Sequence, residues 1–173
     1  MQAELIVDAR NAVGESPVWV PQENALHWVD IPNGGLQRWS ADTGHVHAWK
    51  TPEMLACLAR HSKGGWVAGM ESGFFHLQPH SDGSLDSEQL ASVGHSRQDM
   101  RLNDGRCDRQ GRFWAGSMVL NMGLNLPEGR LYRTWAAPPG GKAEARINAY
   151  LDDYAYLVHG LLTLHDVTGD ARW

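Results

Sequence analysis

The stretch that decides the fold of this 173-residue chain runs from Arg101 to Met118 and reads Arg-Leu-Asn-Asp-Gly-Arg-Cys-Asp-Arg-Gln-Gly-Arg-Phe-Trp-Ala-Gly-Ser-Met. It contains two turn signals, Asn-Asp-Gly at 103–105 and Asp-Arg-Gln-Gly at 108–111, followed by an aromatic strand. Glycine next to Asn or Asp supplies the positive φ angles that tight turns require. Spacing alone therefore favours a β-hairpin. It leaves open a second interpretation, in which Arg101 and Asn103 direct polar groups into a shared cavity.

The motif around Trp114 recurs earlier in the chain. Gly-Arg-Phe-Trp-Ala-Gly at 111–116 is similar to Gly-Gly-Trp-Val-Ala-Gly at 64–69, and a strand led by glycine follows each copy. Short alternating strands separated by Gly, Asn, Asp and Pro clusters are typical of an antiparallel all-β protein. A repeat of about 40 to 50 residues with four strands predicts β-propeller blades. We place the blades at 16–51 and 55–94, with a third that begins at 101–136.

The number of blades predicts an open arc. A propeller closes with about 4 to 8 blades, and this sequence supplies about two and a half. Ala3 to Arg10 reads as a strand that would close the ring onto a last blade, which the sequence lacks. An open arc leaves sheet faces exposed, and such faces usually need a partner.

The composition of the sequence changes after residue 135. Residues 136–144 contain Ala-Ala-Pro-Pro-Gly-Gly and read as a linker. Residues 145–173 carry apolar side chains at steps of three and four, which predicts one amphipathic α-helix. We therefore divide the chain into a β-propeller unit at 1–135, a linker at 136–144 and a helical unit at 145–173.

Composition limits the class of partner. Fifteen Lys and Arg against 20 Asp and Glu give a net charge of −5, which disfavours nucleic acid. No apolar run is long enough for a membrane span, and the first residues lack the features of a signal peptide. The two cysteines, without metal-type spacing, are expected to be reduced thiols of a cytoplasmic protein.

Three stretches of the sequence resemble one known family in their order and spacing. Gly-Glu-Ser-Pro-Val-Trp at 14–19, Trp-Val-Asp-Ile at 28–31 and the segment 101–118 are similar to the regucalcin/gluconolactonase family (senescence marker protein) over about residues 1–135. The resemblance implies the first half of a six-bladed propeller. It also implies a divalent-metal-dependent hydrolase of sugar lactones (aldonolactones), with calcium, zinc, manganese or iron(II) as the ion.

The same resemblance implies roles for three residues. Glu15 would be a metal ligand, Asn103 a second ligand or a contact to the substrate, and Arg101 a donor to substrate oxygens. Carboxylate and amide oxygens are ligands that a hard divalent cation prefers. The remaining ligands and the general base of the family lie on later blades, so no catalytic base is assigned here.

Residues 145–173 resemble a different family. They are similar to one helix of the α/α toroid in thioredoxin-domain-containing proteins related to N-acylglucosamine 2-epimerase. The chain thus reads as a chimera of two incomplete families. We expect Asp152 and Asp153 to be a solvated helix face, because charged pairs on helices usually are.

Two functions stay open on the sequence. The first is an enzyme, a carboxylic-ester (lactone) hydrolase with a divalent metal ion. The second is a non-catalytic truncated or chimeric gene product, or a calcium-binding propeller fragment that needs a partner. Self-association through exposed blade faces would be a further route to a complete ring.

Overall fold

A computed structural model describes residues 2–135 of the chain. Within this range three antiparallel sheets follow one another, with strand orders β1-β2-β3-β4, β5-β6-β7-β8 and β9-β10-β11. The predicted linker at 136–144 and the predicted helix at 145–173 lie outside the described residues.

Each sheet is a meander of short strands. The first comprises β1 (Gly14–Val20), β2 (Ala25–Asp30), β3 (Gly35–Ser40) and β4 (Val46–Lys50). The second comprises β5 (Leu55–Arg60), β6 (Trp66–Met70), β7 (Gly73–Pro79) and β8 (Leu85–Ser92). The third comprises β9 (Met100–Cys107), β10 (Arg112–Val119) and β11 (Leu131–Trp135), and short 3-10 helices lie at Pro21–Glu23 and Met122–Leu124. The prediction of an open, partial β-propeller is confirmed.

Of the two turns predicted beside β9, the one at 108–111 forms. At 108–111 the backbone N–H of Gly111 donates to the carbonyl of Asp108 at 3.0 Å, and Gly111 has a φ of 79°. The other does not form. Asn103 and Asp104 lie inside β9, and its pairing with β10 shifts between Leu102↔Ser117 and Gly105↔Ala115. Two residues of β9 thus stand opposite one of β10, so the Asn-Asp-Gly sequence forms a β-bulge.

The sheets stack face to face through two apolar clusters. Large side chains fill the space between the first and second sheets, including Ile31, Leu36, Trp66 and Met70, all fully buried. Between the second and third sheets, Phe74 and Phe113 meet edge to face at 5.9 Å. An aromatic pair in this geometry contributes about 0.5–1.5 kcal/mol beyond the burial of its two rings. The aromatic residues of the repeat thus hold neighbouring blades together.

The predicted strand Ala3 to Arg10 is wrong. These residues belong to no sheet, and Leu5 and Ile6 are 79% and 55% exposed. The segment is held at its end, where the Oδ1 of Asn11 accepts from the Nε1 of Trp28 at 2.8 Å. A strand needs a sheet edge to pair with, and the last blade onto which this segment was expected to close is not among the described residues. None of the helices in residues 2–135 is long and apolar enough to cross a membrane.

Candidate functional site

The first strands of the three sheets come together and form the candidate site. A cleft of about 580 Å³ is lined by residues of β1, β5 and β9. β1 and β5 are joined directly, since the backbone N–H of Leu58 donates to the Oγ of Ser16 at 3.1 Å. The cleft has the size of many small-molecule sites, which are about 300–1,000 Å³. The inner strands of an open propeller therefore line a concave surface.

Irregular pairing recurs on all three inner strands. The register shifts between Glu15 and Val18 on β1, between Leu55 and Cys57 on β5, and opposite Gly116 on β9. At the first of these, Ser16 adopts a φ of 53°, which is uncommon for a residue with a side chain. Bulges of this kind re-aim side chains and are frequent beside functional sites.

Arg101 and Asn103 form a hydrogen-bonded pair on β9. The Nη1 of Arg101 donates to the Oδ1 of Asn103 and to the carbonyl of Leu102, both at 2.8 Å. Arg101 is half-buried, and burial lowers its pKa, while the nearby Glu15 and Cys57 act in the opposite direction. The structure thus pairs the two polar side chains with each other, but neither lines the cleft, whose residues on β9 run from Asp104 to Cys107.

Glu15 approaches this pair from β1. Its side chain is exposed, and its charge acts on both Arg101 and Cys57. Glu15 lies on β1 and the pair of Arg101 and Asn103 lies on β9, with β5 between these strands. None of the three lines the cleft, and Glu15 lines a separate cavity of about 320 Å³. Their individual roles stay predictions.

The donor set matches a hard divalent cation in kind but is incomplete. Glu15 and Asn103 offer carboxylate and amide oxygens, which calcium prefers, but calcium takes about 6 to 8 ligands. The Oδ1 of Asn103 already accepts a hydrogen bond from Arg101. Within residues 2–135 no group of three or more His, Cys, Asp and Glu side chains is arranged to hold a metal ion. The described residues could therefore contribute two ligands of such an ion.

Sequence analysis missed the residue beneath this site. Cys57 on β5 is fully buried, and burial raises the pKa of its thiol to about 12. Asp104 and Glu15 raise this pKa further, and Arg101 opposes them, so the thiol lies within reach of the charged residues of the site. No local pattern marks Cys57. Gly105, one of the two glycines that it contacts, reads from the sequence as a turn residue, so the sequence does not reveal the contact.

The three stacked meanders around one cleft define an open segment of a β-propeller. The family model described as SMP-30/Gluconolactonase/LRE-like region matches residues 13–148. This chain belongs to that family. The match extends past residue 135, so the boundary placed there stays a prediction, as does the second resemblance at 145–173.

Characterised relatives agree with this assignment. A 6-deoxy-6-sulfogluconolactonase of Pseudomonas putida is 38% identical over 113 residues, which cover 65% of this chain and 38% of the relative. Regucalcin of Danio rerio is 30% identical over 132 residues, which cover 76% of this chain and 43% of the relative. This chain therefore spans about two fifths of the length of these relatives, with matches that cover 38% of the first and 43% of the second.

A solved structure supports the fold. The crystal structure of a calcium-binding protein, regucalcin, from Agrobacterium tumefaciens superposes with a TM-score of 0.65 at 22% sequence identity. The superposition covers 81% of this chain and 44% of that one. At this identity the likeness establishes the propeller fold alone.

Proposed function

We propose that this chain carries part of the active site of a metal-dependent sugar-lactone hydrolase. The observation that carries the proposal is the hydrogen-bonded pair of Arg101 and Asn103 on β9, on which the charge of Glu15 acts from β1. These strands lie within the family match, and relatives named lactonase share that region. The substrate proposed is an aldonolactone.

Arg101 is suited to bind the oxygens of such a substrate. Its Nη1 contacts with Leu102 and Asn103 fix the plane of the guanidinium, whose five N–H donors stand in a rigid fork. Nη2 makes no hydrogen bond with the part of the chain that the structure describes, so it can donate to a lactone or ring hydroxyl oxygen. Because the group is half-buried, such a bond is stronger than it would be in water. Donors aimed at a developing oxyanion are worth about 10²- to 10³-fold in rate.

Glu15 and Asn103 would supply two oxygen ligands of a divalent cation. When bound, such an ion polarises a carbonyl oxygen and lowers the pKa of a coordinated water. Glu15 also provides negative charge that offsets both the cation and Arg101. The ion would be calcium, zinc, manganese or iron(II).

A lactonase assay tests the proposal. Purified chain is incubated with gluconolactone and each of calcium, manganese, zinc and iron(II), against a protein-free blank and a chelator-treated sample. We expect metal-stimulated hydrolysis that falls about 10²-fold in Arg101→Met, the loss typical of one missing oxyanion donor. Glu15→Gln should weaken the metal dependence, whereas the exposed Glu88→Gln on β8 should match the unchanged chain. Absence of any metal-stimulated hydrolysis would reject catalysis by this chain.

The incomplete donor set supports a second candidate function. In this case the chain is not catalytic alone and binds calcium only when a partner, including a second copy, completes the ring. The exposed side chains of Leu5 and Ile6, beside a cavity of about 320 Å³ shared with Leu26 and Trp28, favour such an association. Sedimentation velocity with and without calcium distinguishes the two. A monomer at all concentrations would remove self-association as an explanation.

A further inference from the structure

The buried thiol of Cys57 lies where two sheets come closest. Cys57 pairs with Gly69 of the neighbouring strand β6, and its Sγ also faces Gly105 on β9 of the third sheet. Ideal Cβ atoms built on the two glycines would stand 2.7 Å and 2.6 Å from this Sγ. Real Cβ atoms do not approach other atoms so closely. The thiol therefore occupies all the space between the two glycines.

The contact has no room to relax on either side. A methyl group at Gly69 would push Sγ towards Gly105, where the carbonyl of Trp114 and the Cβ of Ala115 already close the space. Both Cys57 and Gly69 belong to a sheet that is packed on its other face, which holds them in place. β9 is the element that can give way. It is the strand that carries Arg101 and Asn103.

From this geometry we infer that Cys57 is a positioning residue, whose thiol sets the distance of β9 from β5 and thereby the position of Arg101 and Asn103. Its role in the reaction rests on the proposed function, but the spacing that it sets does not. Cys57 itself touches no substrate, because it is fully buried. A hydroxyl is close to a thiol in size, so Cys57→Ser should preserve the spacing.

A compensating pair of substitutions tests the inference. Gly69→Ala places a methyl against Sγ, while its other neighbours, Leu102 and Ala115, lie at 3.4 Å and 3.6 Å and tolerate it. Removing Sγ in the double variant Gly69→Ala with Cys57→Ala frees the space. Gly94→Ala is the matched control, because a methyl there also meets nothing within 4 Å and Gly94 lies outside β9 and β10.

Two readouts separate positioning from stability alone. The first is the side-chain amide resonances of Asn103 by NMR, which report its hydrogen bond to Arg101 without any substrate. The second is kcat and KM for gluconolactone. We expect Gly69→Ala to shift the Asn103 resonances and to lower kcat/KM by about 10- to 100-fold, in line with a misplacement of about 1 Å. The double variant, Cys57→Ser and Gly94→Ala should each resemble the unchanged chain in both readouts.

The outcomes are distinguishable. If Gly69→Ala leaves the Asn103 resonances and KM unchanged, or if removal of Sγ does not restore them, Cys57 does not position the site. If the unchanged chain hydrolyses no lactone, the proposed function fails, and the resonances alone decide the role of Cys57. If Gly69→Ala does not fold while the double variant does and shows the resonances of the unchanged chain, the spacing role is supported.

Discussion

The second and third sheets are built from the same sequence repeat but differ in how their faces are covered. In β6 every residue from Trp66 to Met70 is buried. In β10 burial alternates, with Phe113 buried and Trp114 only partly so. Trp66 and Phe113 both face the preceding sheet, while Val67 faces the third sheet and its counterpart Trp114 faces away from the described sheets.

The difference shows where a functional surface can arise in this fold. The second sheet is covered on both faces along β6, so the side chains of that strand can only pack. The third sheet has one face that no other described sheet covers, and Arg101 and Asn103 on β9 are partly exposed. On that face Trp114 is flanked by the guanidinium groups of Arg112 and Arg133, each 5.3 Å from its ring centre. The sequence repeat forms the sheet, and the uncovered face leaves room for polar side chains that do not pack.

The largest effect is expected from Trp66→Ala in the second sheet. Trp66 is fully buried between the first two sheets, so its removal leaves a cavity that rigid strands cannot close. We expect the free energy of unfolding to fall by about 3–5 kcal/mol. Urea denaturation measures this loss. Trp19→Ala is the control, because Trp19 is 46% exposed, and an equal loss there would contradict the assignment of the core.

Asp108→Asn should have the next largest effect, at the hairpin of the third sheet. The carboxylate accepts hydrogen bonds from the backbone of Gln110 and Arg112 and from the Nε1 of Trp114 at 2.9–3.0 Å, and it pairs with the Nε of Arg112. Burial opposes its ionisation, but the bonds from Trp114 and Arg112 outweigh burial and lower its pKa to about 2. Hydrogen bonds to a charged group contribute about 1.5–3 kcal/mol, and we expect a loss of this order at neutral pH.

The pH dependence sharpens this test. Because the folded-state pKa of Asp108 lies below its ordinary value of 3.8, its contribution is complete above that value. It is lost as the pH falls towards about 2. Asp108→Asn should therefore lose less stability than the unchanged chain between pH 4 and pH 2. Asp82→Asn, in a similar but fully exposed turn of the second sheet, should change little, and identical acid profiles for both variants would refute the role of Asp108.

A smaller, pH-dependent effect is expected at His27, between the first and second sheets. The ring packs on Trp66 at 4.6 Å and is 2% exposed. Burial lowers its pKa to about 4, Glu23 opposes this, and Arg38 and Arg60 add to it. The folded state thus holds His27 neutral, and its stability falls as the pH drops from about 6.5 to about 4, where the unfolded chain takes up the proton first.

The comparison variant for this effect is His27→Gln, which does not titrate. Thermal unfolding between pH 7 and pH 4 should show a smaller decrease of the melting temperature in the variant than in the unchanged chain. Equal slopes would show that the pKa of His27 is the same in the folded and the unfolded chain, which would contradict the lowered value.

The smallest effect is expected from Trp114→Ala on the open face of the third sheet. The ring gains from its two cation–π contacts and its bond to Asp108, and exposed cation–π contacts contribute about 0.5–1 kcal/mol each. We expect a loss of about 1–2 kcal/mol in urea denaturation, well below that of Trp66→Ala. A loss as large as that of Trp66→Ala would mean that further residues cover this face.

The blades and their order could be predicted because they depend on local signals. Alternating apolar residues and Gly, Asn and Asp clusters place strands and turns without knowledge of the tertiary structure. The family motifs then identified Glu15, Arg101 and Asn103, which the structure brings together. The failure at 103–105 has a physical cause. Asn-Asp-Gly permits a turn, but β9 continues through it because β10 offers a strand to pair with.

Other features depended on contacts distant in sequence. The strand expected at Ala3 to Arg10 failed because strand propensity has no effect without an edge to pair with. The contact of Cys57 with Gly69 and Gly105 joins three strands of two sheets, and no spacing of residues in the sequence predicts this contact. Local patterns thus give the elements, and the details of the site follow from how the sheets approach each other.

The bulge at Asn103 and Asp104 divides β9 into two halves of opposite parity. Before it, the even-numbered Leu102 packs into the core while Arg101 and Asn103 stay outside the core. After it, the odd-numbered Gly105 and Cys107 take the packed side. One strand can therefore display a polar pair at one end and seal a core at the other. The extra residue reverses which side chains of β9 face the core. An insertion or deletion in this strand should therefore disturb the structure more than most substitutions do.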